Sequence, residues 1–229
     1  MLTIIHGDNV ASSRQYYLEQ KKQSPSPVVF DGKSLELSDL LQSFEGGNLF
    51  QDDKTIFIED LLSTRKDSKD TQDILVYLEK NIDKPVFLWE SKDVSRHKSP
   101  LFKKAIQKTF NFPKEIFLFL DSLQPRNPQQ VGMFHRILKH LEAEAVFYLL
   151  VRQFRLLLAI TDPLMSEIDE VKRLAPWQLT KLKKQARLFT LNELKNIYKK
   201  LYEIDLAQKT GANESVPLAQ SIDFLLLEI

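Results

Sequence analysis

The 229-residue chain contains no cysteine, which excludes a disulfide framework, thiolate metal ligands and a cysteine nucleophile, and fits a reducing compartment. No sign of charge prevails either. There are 32 basic and 31 acidic residues, and a division after Phe112 leaves 16 basic against 17 acidic before it and 16 against 14 after it. Neither half is a polycation, so overall charge demands neither nucleic acid nor an anionic membrane. A long hydrophobic run is also lacking. The longest, Val146 to Ile160, is interrupted by Arg152, Gln153 and Arg155, short of the roughly 20 apolar residues a membrane span requires. Met1 to His6 has no basic flank and no small-residue cleavage site, so it does not read as a signal peptide. A cytoplasmic protein with no membrane partner is the expectation.

Recognisable catalytic signatures are missing as well. The four histidines, His6, His97, His135 and His140, form no cluster in sequence. His135 and His140 are five apart, a spacing that a helix rotates off one face, so no metal site is expected. The turn His6-Gly7-Asp8-Asn9-Val10-Ala11-Ser12-Ser13-Arg14 occupies the place of a phosphate-binding loop. It lacks the second glycine and the lysine that would cradle and neutralise phosphates. Ile56-Phe57-Ile58-Glu59-Asp60 looks superficially like a metal-holding acidic pair after a strand, but without a phosphate loop it reads as a strand end followed by solvated acids or a helix cap. Neither a cofactor nor a catalytic residue can be named.

What is present is a packed core's worth of apolar residues, 43% of the chain, arranged in two styles. Residues 1–112 alternate short β-like runs with helical patterns. Leu2 to Ile5, Val28 to Phe30, Thr55 to Ile58 and Val86 to Trp89 read as strands; segments near Val10 to Gln23, Leu37 to Phe44, Thr71 to Asn81 and Leu101 to Thr109 read as helices. That rhythm predicts an α/β unit with a largely parallel sheet. Residues 113–229 show apolar residues at helical spacing almost throughout, predicting an all-α bundle. Its helices are expected near Ile116 to Leu123, Gln129 to Glu142, Ala143 to Ile160, Ser166 to Arg173, Trp177 to Leu188, Leu191 to Lys209 and Pro217 to Leu227. Thr190 with Glu193 three residues on suggests a capping box, and Gly211 a C-terminal stop.

Three features lack a local explanation. Leu49 and Phe50 follow the breaker Gly46-Gly47-Asn48 and precede a polar run; they either fold back onto their own unit or enter a pocket on another protein. Arg152 and Arg155 lie in the most apolar helix, where a buried guanidinium needs a carboxylate or carbonyl partner, in the bundle or on an adjoining subunit. Lys172, Arg173, Lys181, Lys183, Lys184 and Arg187 fall in a stretch without an acid. They form a solvated helix face, track a phosphate backbone or meet an acidic partner. Trp177 and Phe189 are the aromatics in or beside that stretch, and both suit a core equally well.

The runs Val146-Phe147-Tyr148-Leu149-Leu150-Val151-Arg152-Gln153-Phe154-Arg155, Gln185-Ala186-Arg187-Leu188-Phe189-Thr190 and Leu201-Tyr202-Glu203-Ile204-Asp205, with Lys209-Thr210-Gly211, resemble the C-terminal domain of the bacterial DNA polymerase III delta subunit. The opening strand into Gly7, the strand end Val29-Phe30-Asp31-Gly32 and Leu49-Phe50 ahead of Thr55 to Ile58 are similar to its N-terminal half. The resemblance implies a clamp loader subunit whose N-terminal fold is ATPase-like without a working phosphate loop. It also implies a helical collar domain with Arg152, Gln153 and Arg155 in its core or interfaces. The family's clamp-binding element carries over to Leu49 and Phe50; Gly47 stands where an apolar residue is common, and Phe44 is a substitute. A small middle domain typical of the family is missing between Phe112 and Ile116. The implied partners are the sliding clamp, the other loader subunits and DNA within the complex, without obligate homo-oligomerisation and without catalytic activity of the chain's own. A degenerate nucleotide-binding enzyme and a helical scaffold or nucleic-acid-binding module remain the alternatives.

Overall fold

The computed structural model describes residues 1–45, 54–162, 168–211 and 216–229. The chain divides into two compact units, Met1–Phe112 and Pro113–Ile229.

The first unit is built on five strands: β1 (Thr3–His6), β2 (Ser26–Asp31), β3 (Lys54–Glu59), β4 (Val86–Trp89) and β5 (Ile106–Thr109). They lie in the order β2-β3-β4-β1-β5, and every pairing is parallel. Parallel strands must be joined by crossovers. These contain α1 (Val10–Gln23), α2 (Leu37–Glu45), α3 (Leu61–Thr64), α4 (Lys69–Lys80) and α5 (Pro100–Lys104). The central strands β1, β3 and β4 are apolar on both faces, as a sheet covered on both sides requires. Ile4, Ile56, Ile58 and Leu88 pack with Leu40, Ile74 and Leu78 in one cluster, while Ile5, Phe57 and Trp89 pack with Tyr17 in another.

One expected helix is corrected. Residues 101–109 do not continue as one helix: α5 ends at Lys104, Ala105 turns extended, and residues 106–109 become an edge strand against β1. Leu101 and Phe102 supply the buried positions, whereas all four β5 residues are exposed. The strand therefore shows no apolar alternation, and its evidence is the backbone ladder alone.

The second unit contains α6 (Lys114–Ser122), α7 (Gln129–Ile137), α8 (Ala143–Thr161), α9 (Asp169–Lys172), α10 (Pro176–Ala186), α11 (Leu191–Thr210) and α12 (Leu218–Glu228). The apolar α8 runs through its middle, packed against α6, α9, α10, α11 and α12. The helix expected to reach Glu142 stops at Ile137. Beyond it, the His140 and Leu141 N–H groups both bond to the Ile137 carbonyl, at 2.9 and 3.0 Å, one closing turn that mixes three- and four-residue bonds. Helix α11 opens on the capping box of Thr190 and Glu193 and ends on Gly211, whose φ is +70°, the left-handed conformation that suits glycine at a helix stop.

Candidate interaction site

In the first unit, the turn between β1 and α1 lies at the carboxyl edge of the parallel sheet, where ligands of open α/β folds bind. Here the chain fills that place itself. Gly7 has φ +142°, and a Cβ on it would stand 2.0 Å from the Phe110 carbonyl oxygen. That same oxygen accepts the Asn9 N–H at 2.9 Å. Asp8 N–H donates to Asn111 Oδ1, and Asp8 Oδ1 accepts the Phe112 N–H at 2.7 Å. Asn9 Oδ1 accepts the Ser12 N–H and caps α1. Backbone donors that a phosphate loop would direct at an anion are thus occupied by Phe110, Asn111 and the cap.

The acids nearby are equally engaged. Glu59 pairs with Arg14 at 2.8 Å and accepts the Tyr17 hydroxyl at 2.9 Å; burial, and next the Glu59 carboxylate, push that phenol far above its ordinary range. The Arg14 guanidinium also lies 4.5 Å from the Trp89 ring centroid and 4.9 Å from that of Tyr17. Asp60, with φ +56°, accepts the Ser91 N–H at 2.7 Å. Glu90, fully buried, accepts the Leu62 and Ser63 N–H groups and the Ser63 hydroxyl at 2.6–2.8 Å. Burial raises its carboxyl above the ordinary value in spite of those donors. Sequence reading missed Glu90, since an acid after an apolar run looks like a solvated strand end. No metal-holding group of three or more ligands occurs among the described residues.

Leu49 and Phe50 lie outside the described residues. Phe44 is half-buried on α2, its ring centroid 5.6 Å from that of Tyr77, with the Lys84 ammonium 4.4 Å above its face.

In the helical unit, Arg152 Nε bonds Glu170 Oε1 at 2.6 Å, and Arg155 pairs with the other oxygen of the same carboxylate. One acid on α9 therefore serves two guanidiniums on α8. Both arginine side chains are more than a third exposed, so they sit at the margin of the bundle rather than in its apolar centre. Gln153 is the buried one of the three; its amide donates to Gln185, which donates in turn to the Leu120 and Leu123 carbonyls at 2.7 and 2.9 Å. These bonds tie α8, α10 and the end of α6 together.

The basic run divides by surroundings. Lys181 pairs with Asp121, and Arg173 stands 3.8 Å from Asp169. Lys172 is exposed at the end of α9. Lys183, Lys184 and Arg187 are exposed and have no ion-pair partner among the described residues. Phe189 is buried edge-on against Phe154. Trp177, by contrast, is 67% exposed. On the other side of α8, a groove of about 510 Å³ is lined by residues that include Phe147, Val151 and Leu201, together with the exposed Tyr148 and Tyr202.

Comparison with known proteins adds the following. Residues 113–226 match the family model described as DNA polymerase III delta subunit, C-terminal domain. Among solved structures, the chain is similar to the Bacillus subtilis DNA clamp loader delta protein (YqeN), at 14% identity and a TM-score of 0.45, over 99% of this chain and 94% of that one. A chain from the structure of Drosophila ORC bound to poly(dA/dT) DNA and Cdc6 is similar at 9% identity and a TM-score of 0.32, over 99% of this chain and 65% of that one. No curated protein sequence matches.

Proposed function

The chain belongs, through residues 113–226, to the DNA polymerase III delta subunit family, and from that premise we propose that it is a clamp loader subunit acting by binding rather than by chemistry. The observation that carries this reading is the family match, which runs from the start of α6 nearly to the end of α12. The helical unit is then the collar that joins the other loader subunits, with Gln153 fixing its inner arrangement and Arg152 and Arg155 holding α9 at its margin. Leu49 and Phe50 are the clamp-contacting pair, two apolar side chains in a polar sequence context. Their insertion promotes clamp opening insofar as they bind the opened clamp better than the closed one.

ATP is consumed by partner subunits on this reading. The filled β1–α1 turn supports that division, because the Phe110 carbonyl and Asn111 Oδ1 accept the Asn9 and Asp8 N–H groups that would otherwise be free for phosphate oxygens. A thermal-shift titration with ATP and magnesium is expected to give no saturable stabilisation; a ligand that bound the folded chain would raise its melting temperature. The basic residues of α9 and α10 face DNA within the complex.

Titrating purified sliding clamp with the wild-type chain and with the Leu49→Ala, Phe50→Ala double variant tests the clamp assignment. Each buried side chain of this size contributes about 1.5–3 kcal/mol, so the double variant is expected to bind at least about a hundredfold more weakly. Equal affinity removes the pair from the interface.

A further inference from the structure

Trp177 is among the largest apolar side chains left in solvent, at 67% exposure, although it begins a helix whose other face is well packed. Leu182, Gln185 and Ala186 turn inward from α10. Lys184 lies seven residues, two helical turns, beyond Trp177 and so on the same face. Arg187 at the helix end lies about 80° round the axis from that line, and Lys183 about 120° round it on the same side. These three cations have no ion-pair partner among the described residues, whereas Lys181, on the flank toward α6, is engaged by Asp121. No acid occurs between Val171 and Arg187. From Trp177 to Arg187 the helix rises about 15 Å, long enough to run beside a few successive nucleotides of one strand.

We propose that the outer face of α10 binds single-stranded DNA, with the Trp177 indole stacking on a base and Lys184 and Arg187 following the adjoining phosphates. An aromatic platform at the head of a positive track is the arrangement by which single strands are held without sequence preference. A paired base in a duplex presents no free face to the indole, so the surface selects single strands. This inference deepens the DNA contact proposed above and rests on that reading; it does not depend on Leu49 and Phe50.

Fluorescence titration of the full chain with an oligothymidylate of about fifteen nucleotides tests it. The chain has two tryptophans, and Trp89 is buried with its Nε1–H bonded to Ser13. Emission quenching is therefore expected to come from Trp177, and to vanish in Trp177→Phe while most affinity remains. Trp177→Ala is expected to bind about tenfold more weakly with an unchanged dependence on salt. Lys184→Ala and Arg187→Ala are each expected to lower the slope of log affinity against log salt by about 0.7. Wild-type affinity in Trp177→Ala overturns the stacking role, and a duplex bound as tightly as the single strand overturns the selectivity. A chain that binds the clamp through Leu49 and Phe50 but binds no oligonucleotide overturns the inference and leaves the clamp reading standing.

Discussion

At the scale of single residues, Gly7 is where side-chain absence has the largest consequence. Its φ of +142° and the Phe110 carbonyl beside it leave no room for a Cβ. Gly7→Ala is expected to destabilise the first unit by about 2–3 kcal/mol, read as a lowered denaturation midpoint in urea. Glu170 is the second such residue, since it holds both Arg152 and Arg155. Because all three side chains are partly exposed, solvent screens the pairs, and Glu170→Ala is expected to cost about 1–2 kcal/mol. A double-mutant cycle with Arg155→Ala measures the coupling. The sequence marked the two arginines because charge is conspicuous in an apolar helix. It could not mark Glu170, 15 and 18 residues further on, because only the path of the intervening chain decides which acid returns to α8. Glu90 was illegible for a related reason: its burial depends on α3 folding over the end of β4.

Among the elements, those with strong periodicity or plain caps were legible. Helix α1 starts at Val10 and ends at Gln23, and β4 spans Val86 to Trp89, because Asn9 caps the one and apolar residues on both faces mark the other. Strand β5 was hidden, since its four exposed residues carry no alternation and Leu101 and Phe102 just before it imitate a helix face. Trp177 was ambiguous for a packing reason: an indole at the start of α10 suits a core or a surface, and only the orientation of Leu182, Gln185 and Ala186 settles which side faces in. Helix α11 gives a pH prediction. The Thr190 backbone N–H and hydroxyl hold the Glu193 carboxyl below its ordinary value of 4.5, so the folded state favours the charged form. The capping contribution is therefore full above pH 4.5 and is lost as pH falls through the lowered value. Glu193→Gln, which keeps an oxygen acceptor without titrating there, is expected to flatten the acid limb of the melting temperature against pH. An unchanged limb assigns the acid sensitivity to other groups.

For the whole molecule, the division at Phe112 and Pro113 means that each unit carries its own core. Residues 113–229 expressed alone are expected to give a strongly helical circular dichroism spectrum and a cooperative thermal transition; a fragment without one would make the helical unit dependent on the first. The proposed function joins two kinds of binding surface: an apolar pair proposed to meet the clamp and a helical unit proposed to meet the other loader subunits. Reconstitution reaches that claim most directly. The purified chain is combined with sliding clamp and the ATPase subunits of a loader, and the mixture is followed by size exclusion and by clamp loading on primed DNA. The account predicts that the chain migrates with the ATPase subunits and that loading requires it. A chain that elutes alone, with loading equally efficient in its absence, would contradict the account.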